Sequence, residues 1–146
     1  MEQLEIKKLL QAVAAGETSV DSALLQLKEA PFEDLGFAKL DHHRALRQGT
    51  AEVIYGAGKT PEQILKIAQA MLRHGQKTVL ITRLSQQAAD VLAPQLPFTY
   101  HALGRVGIAG TMPEPTGRGK IVIATGGTSD QPVAEEAALT AEALGN

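Results

Sequence analysis

The sequence contains no cysteine, which removes disulfides, thiolate metal sites and a cysteine nucleophile from these residues. Aromatic side chains are scarce at 3%, too few for the stacking platforms that hold single-stranded nucleic acid. A surplus of one charge is also missing. Lys and Arg number 14 against 16 Asp and Glu, a net charge of −2, so the basic face of a nucleic-acid binder is not expected. No apolar run approaches the roughly 18 residues of a membrane span, and residues 1–10 are charged throughout, unlike a secretory signal. A soluble, cytoplasmic protein with neither nucleic-acid nor membrane partners is the expectation. What is present is core material: 44% of the 146 residues are hydrophobic, enough for one ordinary domain or two small ones.

Residues 55–64, YGAGKTPEQI, hold a string that looks like ready-made chemistry. GAGKT matches the end of a P-loop, G-x-x-x-x-G-K-[ST], in which successive backbone amides wrap phosphates. With Gly58, Lys59 and Thr60 as its GKT, the first glycine falls on Val53, and Pro61 removes a helix-start amide. A capped helix explains every letter instead: Thr60 as N-cap, Pro61 at N1, and Gln63 at N3 closing a capping box. The balance is against a P-loop nucleotide hydrolase.

Apolar spacing predicts a helix over 2–15, with Leu4, Leu9, Leu10 and Val13 near one face and Gly16 ending it. Ser19 caps a second, carrying Val20, Ala23, Leu24 and Leu27 and stopping before Pro31; the two read as a helical hairpin. Residues 32–50 are charged and weakly periodic. A short strand at 51–55, a helix at 61–74, a buried strand at 78–82, a short helix at 85–92 and a strand at 98–101 follow. That alternation predicts a small, three-layer-like α/β region with parallel pairing. Residues 110–119, GTMPEPTGRG, hold two prolines and three glycines and read as a linker. Beyond them KIVIAT, at 120–125, predicts a β-branched strand, Gly126 and Gly127 break it, and 132–144 reads as a helix. The expected division is an α/β region with a helical hairpin over 1–111, a linker over 112–119, and the start of a further domain over 120–146.

The turn between that last strand and helix is the sharpest site candidate. Free amides at a helix start, with the hydroxyls of Thr128 and Ser129, can cradle a phosphate. Gly126 and Gly127 let backbone approach an oxyanion and take positive φ where needed. Asp130 can accept from a ribose hydroxyl or cap the helix, and any α/β turn favours such caps. A second candidate is KLDHHRALR at 39–47, whose Asp41-His42-His43 superficially resembles the DHH phosphoesterase signature. The aspartate motifs that should precede it are missing, and neighbouring histidines diverge too far to share one metal readily. A charged turn or short helix capped by Asp41 is the plainer reading, and no metal site is expected. Lys59 and Arg83 sit where α/β proteins place ligand groups, outside carboxyl strand ends, though each also reads as a surface charge. The sequence identifies no second ligand or base to accompany His74 or His101, and at most one of Glu135 and Glu136 can face a site.

Three segments carry a family resemblance: FEDLGFAKLDHHRALRQGTAEVIYGAGKTPEQI at 32–64, TR at 82–83, and GGTSDQPVAEEAA at 126–138. From about residue 18 onward the chain resembles the carboxylase of nickel-pincer-nucleotide cofactor biosynthesis, the pyridinium-3,5-biscarboxylic acid mononucleotide synthase that supplies lactate racemase. The resemblance implies an N-terminal α/β region joined to a doubly wound domain like aminoimidazole ribonucleotide carboxylase, of which 120–146 would form the first strand–helix unit. In that carboxylase a G-S-x-S-D turn binds the nucleotide. Gly126, Gly127, Thr128, Ser129 and Asp130 match it, with Gly127 replacing the first serine and its hydroxyl. Lys39, Asp41, His42 and Arg44 are further substrate-binding candidates from the N-terminal motif.

The implied reaction carboxylates the pyridinium ring of nicotinic acid adenine dinucleotide with CO2 or bicarbonate and hydrolyses the phosphoanhydride, releasing AMP. A pyridinium ring is electron-poor, and a thiolate adding to it makes the ring carbon nucleophilic. The family's cysteine lies downstream of these residues, so the chain is expected to be the N-terminal part of a homo-oligomeric enzyme and inactive alone. No tightly bound cofactor is implied, with magnesium an optional ion. Val133, Ala134, Ala137, Ala138 and Leu144 are expected to form an apolar face without an intrachain partner. Two alternatives remain: a non-catalytic assembly module, and an aminoimidazole ribonucleotide carboxylase-like protein of purine metabolism.

Overall fold

The structure, a computed structural model, describes residues 3–29, 32–41 and 52–146, and divides into two units, Met1–Thr50 and Ala51–Asn146. In the first unit, α1 (Gln3–Ala14) and α2 (Val20–Glu29) form the predicted helical hairpin, with Ala23 buried. Gly16 ends α1 at φ +77, and the Ser19 hydroxyl accepts from the Ser22 amide at 3.1 Å to start α2. Two short strands follow, β1 (Phe32–Asp34) and β2 (Lys39–Asp41), paired antiparallel with Phe32 opposite Asp41. Asp41 is the last residue of β2; the turn or helix it was expected to cap lies outside the described residues. Three-residue strands are too short to show a period of two, so this hairpin left no pattern in the sequence.

The second unit is built on a four-stranded sheet in the order β3 (Ile54–Tyr55), β4 (Thr78–Thr82), β6 (Val106–Gly110), β5 (Phe98–His101). β3 and β4 pair in parallel; β6 runs antiparallel to both β4 and β5. The predicted strand–helix–strand–helix–strand run is present, and β3, β4 and β5 all point one way. Parallel pairing nevertheless stops at β4, because β6 lies between β4 and β5. Val106–Gly110 reads VGIAG, and its two glycines argue against a strand by propensity. Burial overrides that preference, since Val106, Ile108 and Ala109 are all in the core.

Alternation across the central pair assigns the two faces. Leu80 of β4 lies opposite Ile108 of β6, and Val79 opposite Ala109; neighbouring positions project to opposite sides. One side is covered by α3 (Pro61–Arg73) and α4 (Gln86–Leu92), which bury Ile64, Ile67, Met71 and Leu92. Each such side chain contributes roughly 2 kcal/mol when taken from water. On the other side Leu80, Val106 and Ile108 pack with Leu139 and Ala143 of α5 (Gln131–Ala143). The layers are thus helix, sheet, helix.

The start of α3 answers the GAGKT question. The Lys59 amide donates to Gly56 O at 3.2 Å with Gly58 at φ +78, and the Lys59 ammonium donates back to Tyr55 O at 2.8 Å. Thr60 and Gln63 complete the reciprocal capping box. The motif is a tight turn and a cap.

One expected element does not form. Residues 121–125 pair with no strand and lie exposed, Val122 at 84%. A β-branched run becomes a strand only when a neighbour takes its backbone groups, and no described strand does. The helix after it does form, and it has an intrachain partner. Of the residues expected on an unpartnered face, Val133, Ala137 and Leu144 are exposed and Ala134 and Ala138 half-buried, while Leu139 and Ala143, not assigned to that face, meet the sheet.

Gly110 sits at φ +91, and an added Cβ would lie 2.1 Å from Lys77 O. Gly110→Ala is therefore expected to destabilise the protein by on the order of 2–3 kcal/mol, read as a lower midpoint in denaturant unfolding. An unchanged midpoint would contradict the register at the end of β6.

Candidate functional site

Because β3, β4 and β5 share a direction, their carboxyl ends meet at one edge of the sheet. In open α/β sheets that edge is where loops build ligand sites. Three connections gather there: residues 56–60, 83–85 and 102–105. They are tied together by backbone. The Leu84 amide donates to Arg105 O at 2.8 Å, the Tyr100 hydroxyl donates to Leu84 O at 3.0 Å, and the Gly56 amide donates to Thr82 O at 2.8 Å. Arg83 and Arg105 both stand at φ +53, a left-handed conformation that costs about 1–2 kcal/mol for a residue with a side chain.

The helix α5 is fixed to this edge at its N-terminal half. Arg83 Nε lies 3.2 Å from Glu136 Oε2, with the arginine side chain 46% exposed and the glutamate 22%. Beside them the hairpin turn passes so close that a Cβ on Gly104 would stand 3.0 Å from Glu135 Cγ and 3.1 Å from the Glu136 backbone nitrogen. Of the two acids, Glu136 pairs with Arg83, whereas the Glu135 side chain lies beside Gly104. Leu139 and Ala143, further along α5, descend onto the sheet. The start of α5 therefore extends outward past the carboxyl edge, with Asp130 about 9 Å beyond Glu136 along the helix axis at 1.5 Å per residue.

That projecting end is the turn singled out in the sequence. Thr128–Asp130 forms one turn of 3-10 helix leading into α5, and residues 126–130 are all exposed. The Thr125 hydroxyl donates to Gly127 O at 3.2 Å, and the Asp130 amide donates to Gly127 O, also at 3.2 Å. Asp130 occupies the N-cap position of α5 but makes no side-chain capping bond, so its carboxylate is not spent on the helix. Neither Gly126 nor Gly127 takes positive φ. Space around them is open: a Cβ on Gly126 would meet nothing within 4 Å, and one on Gly127 only Ser129 Oγ at 3.7 Å. What the turn offers is exposed amides and hydroxyls on an unobstructed face.

The remaining candidates disperse. Lys39 and Asp41 lie on β2 in the first unit, while His42, His43 and Arg44 fall outside the described residues. The His74 ring Nδ1–H donates to Ala70 O at 2.9 Å, a local helix-end contact. His101 is half-buried at the end of β5. Among the described residues no three His, Asp or Glu side chains converge as a metal site would require, and no helix is long and apolar enough to cross a membrane. Arg83, which the sequence offers as a surface charge, is half-exposed and pairs with Glu136; Gly104 is not singled out by the sequence. The position of Arg83 directly after a buried strand was the available signal; Gly104 had none.

The fold thus defines an α/β domain with helices on both sheet faces and loops collected at the carboxyl edge. Residues 32–111, from β1 to just past β6, match the LarB/PurE-like N-terminal domain, and the chain belongs to that family. The family is of carboxylase type. The chain is also 31% identical over 147 residues to Uncharacterized protein MJ0165 of Methanocaldococcus jannaschii, an alignment covering 96% of this chain and 57% of that protein. It therefore spans little more than half the length of that relative. Residues 126–130 lie outside the stretch matched by the family.

Gly104→Val inserts bulk where the hairpin turn meets α5. It is expected to destabilise by about 1–3 kcal/mol and to speed hydrogen exchange around Leu139 more than around Ile64 in α3. Equal protection in both helices would contradict the close approach of turn and helix.

Proposed function

We propose that the intact protein carboxylates the pyridinium ring of nicotinic acid adenine dinucleotide and hydrolyses its phosphoanhydride, releasing AMP, as a step of nickel-pincer-nucleotide cofactor synthesis. The observation that carries this reading is the exposed turn at the start of α5, Gly126 to Asp130, with its uncapped aspartate and unobstructed glycines, in a chain of the LarB/PurE-like family. Helix-start amides favour a phosphate oxygen, the Thr128 and Ser129 hydroxyls donate to it, and the Asp130 carboxylate accepts from a ribose hydroxyl. Serine is absent at position 127, so one phosphate-binding hydroxyl is missing, and the Gly127 amide donates to the Thr125 hydroxyl oxygen at 3.5 Å. Lys39, Asp41, His42 and Arg44 are further contributors in this reading. CO2 or bicarbonate is the second substrate and magnesium an optional ion.

Ring carboxylation needs a nucleophile that adds to the pyridinium and then leaves. These 146 residues hold no cysteine, so the thiolate belongs to polypeptide beyond them, in a longer cytoplasmic protein that assembles as a homo-oligomer. Residues 120–146 are then the opening of the carboxylase-like domain, and residues 121–125 gain strand partners there. The apolar side chains that 121–125 expose support that division.

Isothermal titration of the intact protein with nicotinic acid adenine dinucleotide tests the reading. Binding is expected, with Ser129→Ala and Asp130→Ala each weakening it about fivefold to a hundredfold, the loss of one hydrogen bond to a charged partner. Affinity and turnover unchanged in both variants would remove the turn from the site. Absence of heat would favour a non-catalytic assembly module, and preference for aminoimidazole ribonucleotide would favour a purine-pathway carboxylase.

A further inference from the structure

We propose that Arg83 is a positioning residue. Through Glu136 it sets how the first turn of α5, and with it residues 126–130, stands against the carboxyl edge of the sheet. Three observations converge on it. First, Arg83 belongs to a connection with little freedom. The residue after it is held on both sides by the β5–β6 hairpin, its amide on Arg105 O and its carbonyl under the Tyr100 hydroxyl. Second, its guanidinium meets α5 at Glu136, one to two turns from the nucleotide-binding candidate and on the outer side of the Leu139 anchor. Third, the apolar anchor does not reach that far. Leu139 and Ala143 fix the later half of α5, and Val133 in its first turn is 59% exposed. A helix pinned at one half can pivot at the other. The Arg83–Glu136 contact and the close passage of Gly104 both act on the half of α5 that carries the projecting end.

The size of the effect follows from exposure. With the arginine side chain 46% exposed, the pair is screened and worth at most about fivefold in an equilibrium. A modest orienting restraint is what such a pair can supply. For substrate, the role rests on the functional reading above; for the orientation of α5 it does not.

The left-handed backbone at Arg83 provides a control. Glycine suits φ +53, so Arg83→Gly removes the guanidinium while relieving backbone strain, and the thermal midpoint is expected to hold or rise. In the intact protein this variant, and Glu136→Gln, should speed hydrogen exchange of the hydrogen-bonded amides of Asp130 and Gln131 by about three- to fivefold, with exchange in α3 unchanged. The double variant should add nothing further, and Arg83→Lys should recover part of the protection. KM for the dinucleotide should rise by a similar factor while kcat stays level. Unchanged exchange at the Asp130 and Gln131 amides in Arg83→Gly would overturn the proposal. So would faster exchange throughout the second unit in step with a lowered midpoint, the mark of a merely structural residue. If the wild-type protein bound no dinucleotide, the functional reading would fall and the exchange measurement would still decide the positioning role.

Discussion

The second unit depends on the antiparallel pairing of β4 with β6. That register places Leu80 beside Ile108 on one face of the sheet and Val79 beside Ala109 on the other. A slip of one residue would send each set to the wrong side. The first face receives Leu139 and so fixes where α5 lies. The second receives α3 and α4. Because β6 lies between β4 and β5, it also brings the β5–β6 turn to the edge where β3 and β4 end. One strand of low intrinsic propensity thereby positions a helix layer and a loop cluster together.

From this packing comes the asymmetry of α5. Its later half is held by apolar burial, which is strong and non-directional. Its earlier half is held by an ion pair and a glycine contact, which are weaker but directional. A ligand site in a turn at the end of a helix suits that arrangement: an anchored body, and an exposed tip that holds the hydroxyls of Thr128 and Ser129.

Much of this was legible in the sequence where local rules agree with the tertiary structure. The capping box at Thr60 and Gln63, the amphipathic α3 and the TVLIT strand all carried their signal in consecutive residues, and each formed close to its expected bounds. β6 was illegible because Gly107 and Gly110 speak against a strand, and only the neighbours that bury Val106 and Ile108 make it one. Residues 120–125 failed in the opposite sense. Their β-branched side chains favour a strand, yet strand formation is a property of pairs, and no partner is present among the described residues. The GGTSD turn was visible as letters; its standing at the carboxyl edge depends on Arg83, Gly104 and Glu136, which are distant in sequence.

The central claim is that α5 presents residues 126–130 to a nucleotide, and amide chemical shifts test it most directly. On adding nicotinic acid adenine dinucleotide to the isotopically labelled intact protein, the largest shifts are expected at the amides of 127–131, with smaller ones at Arg83 and Glu136. Saturating shifts confined to other residues, with 127–131 unmoved, would contradict the account.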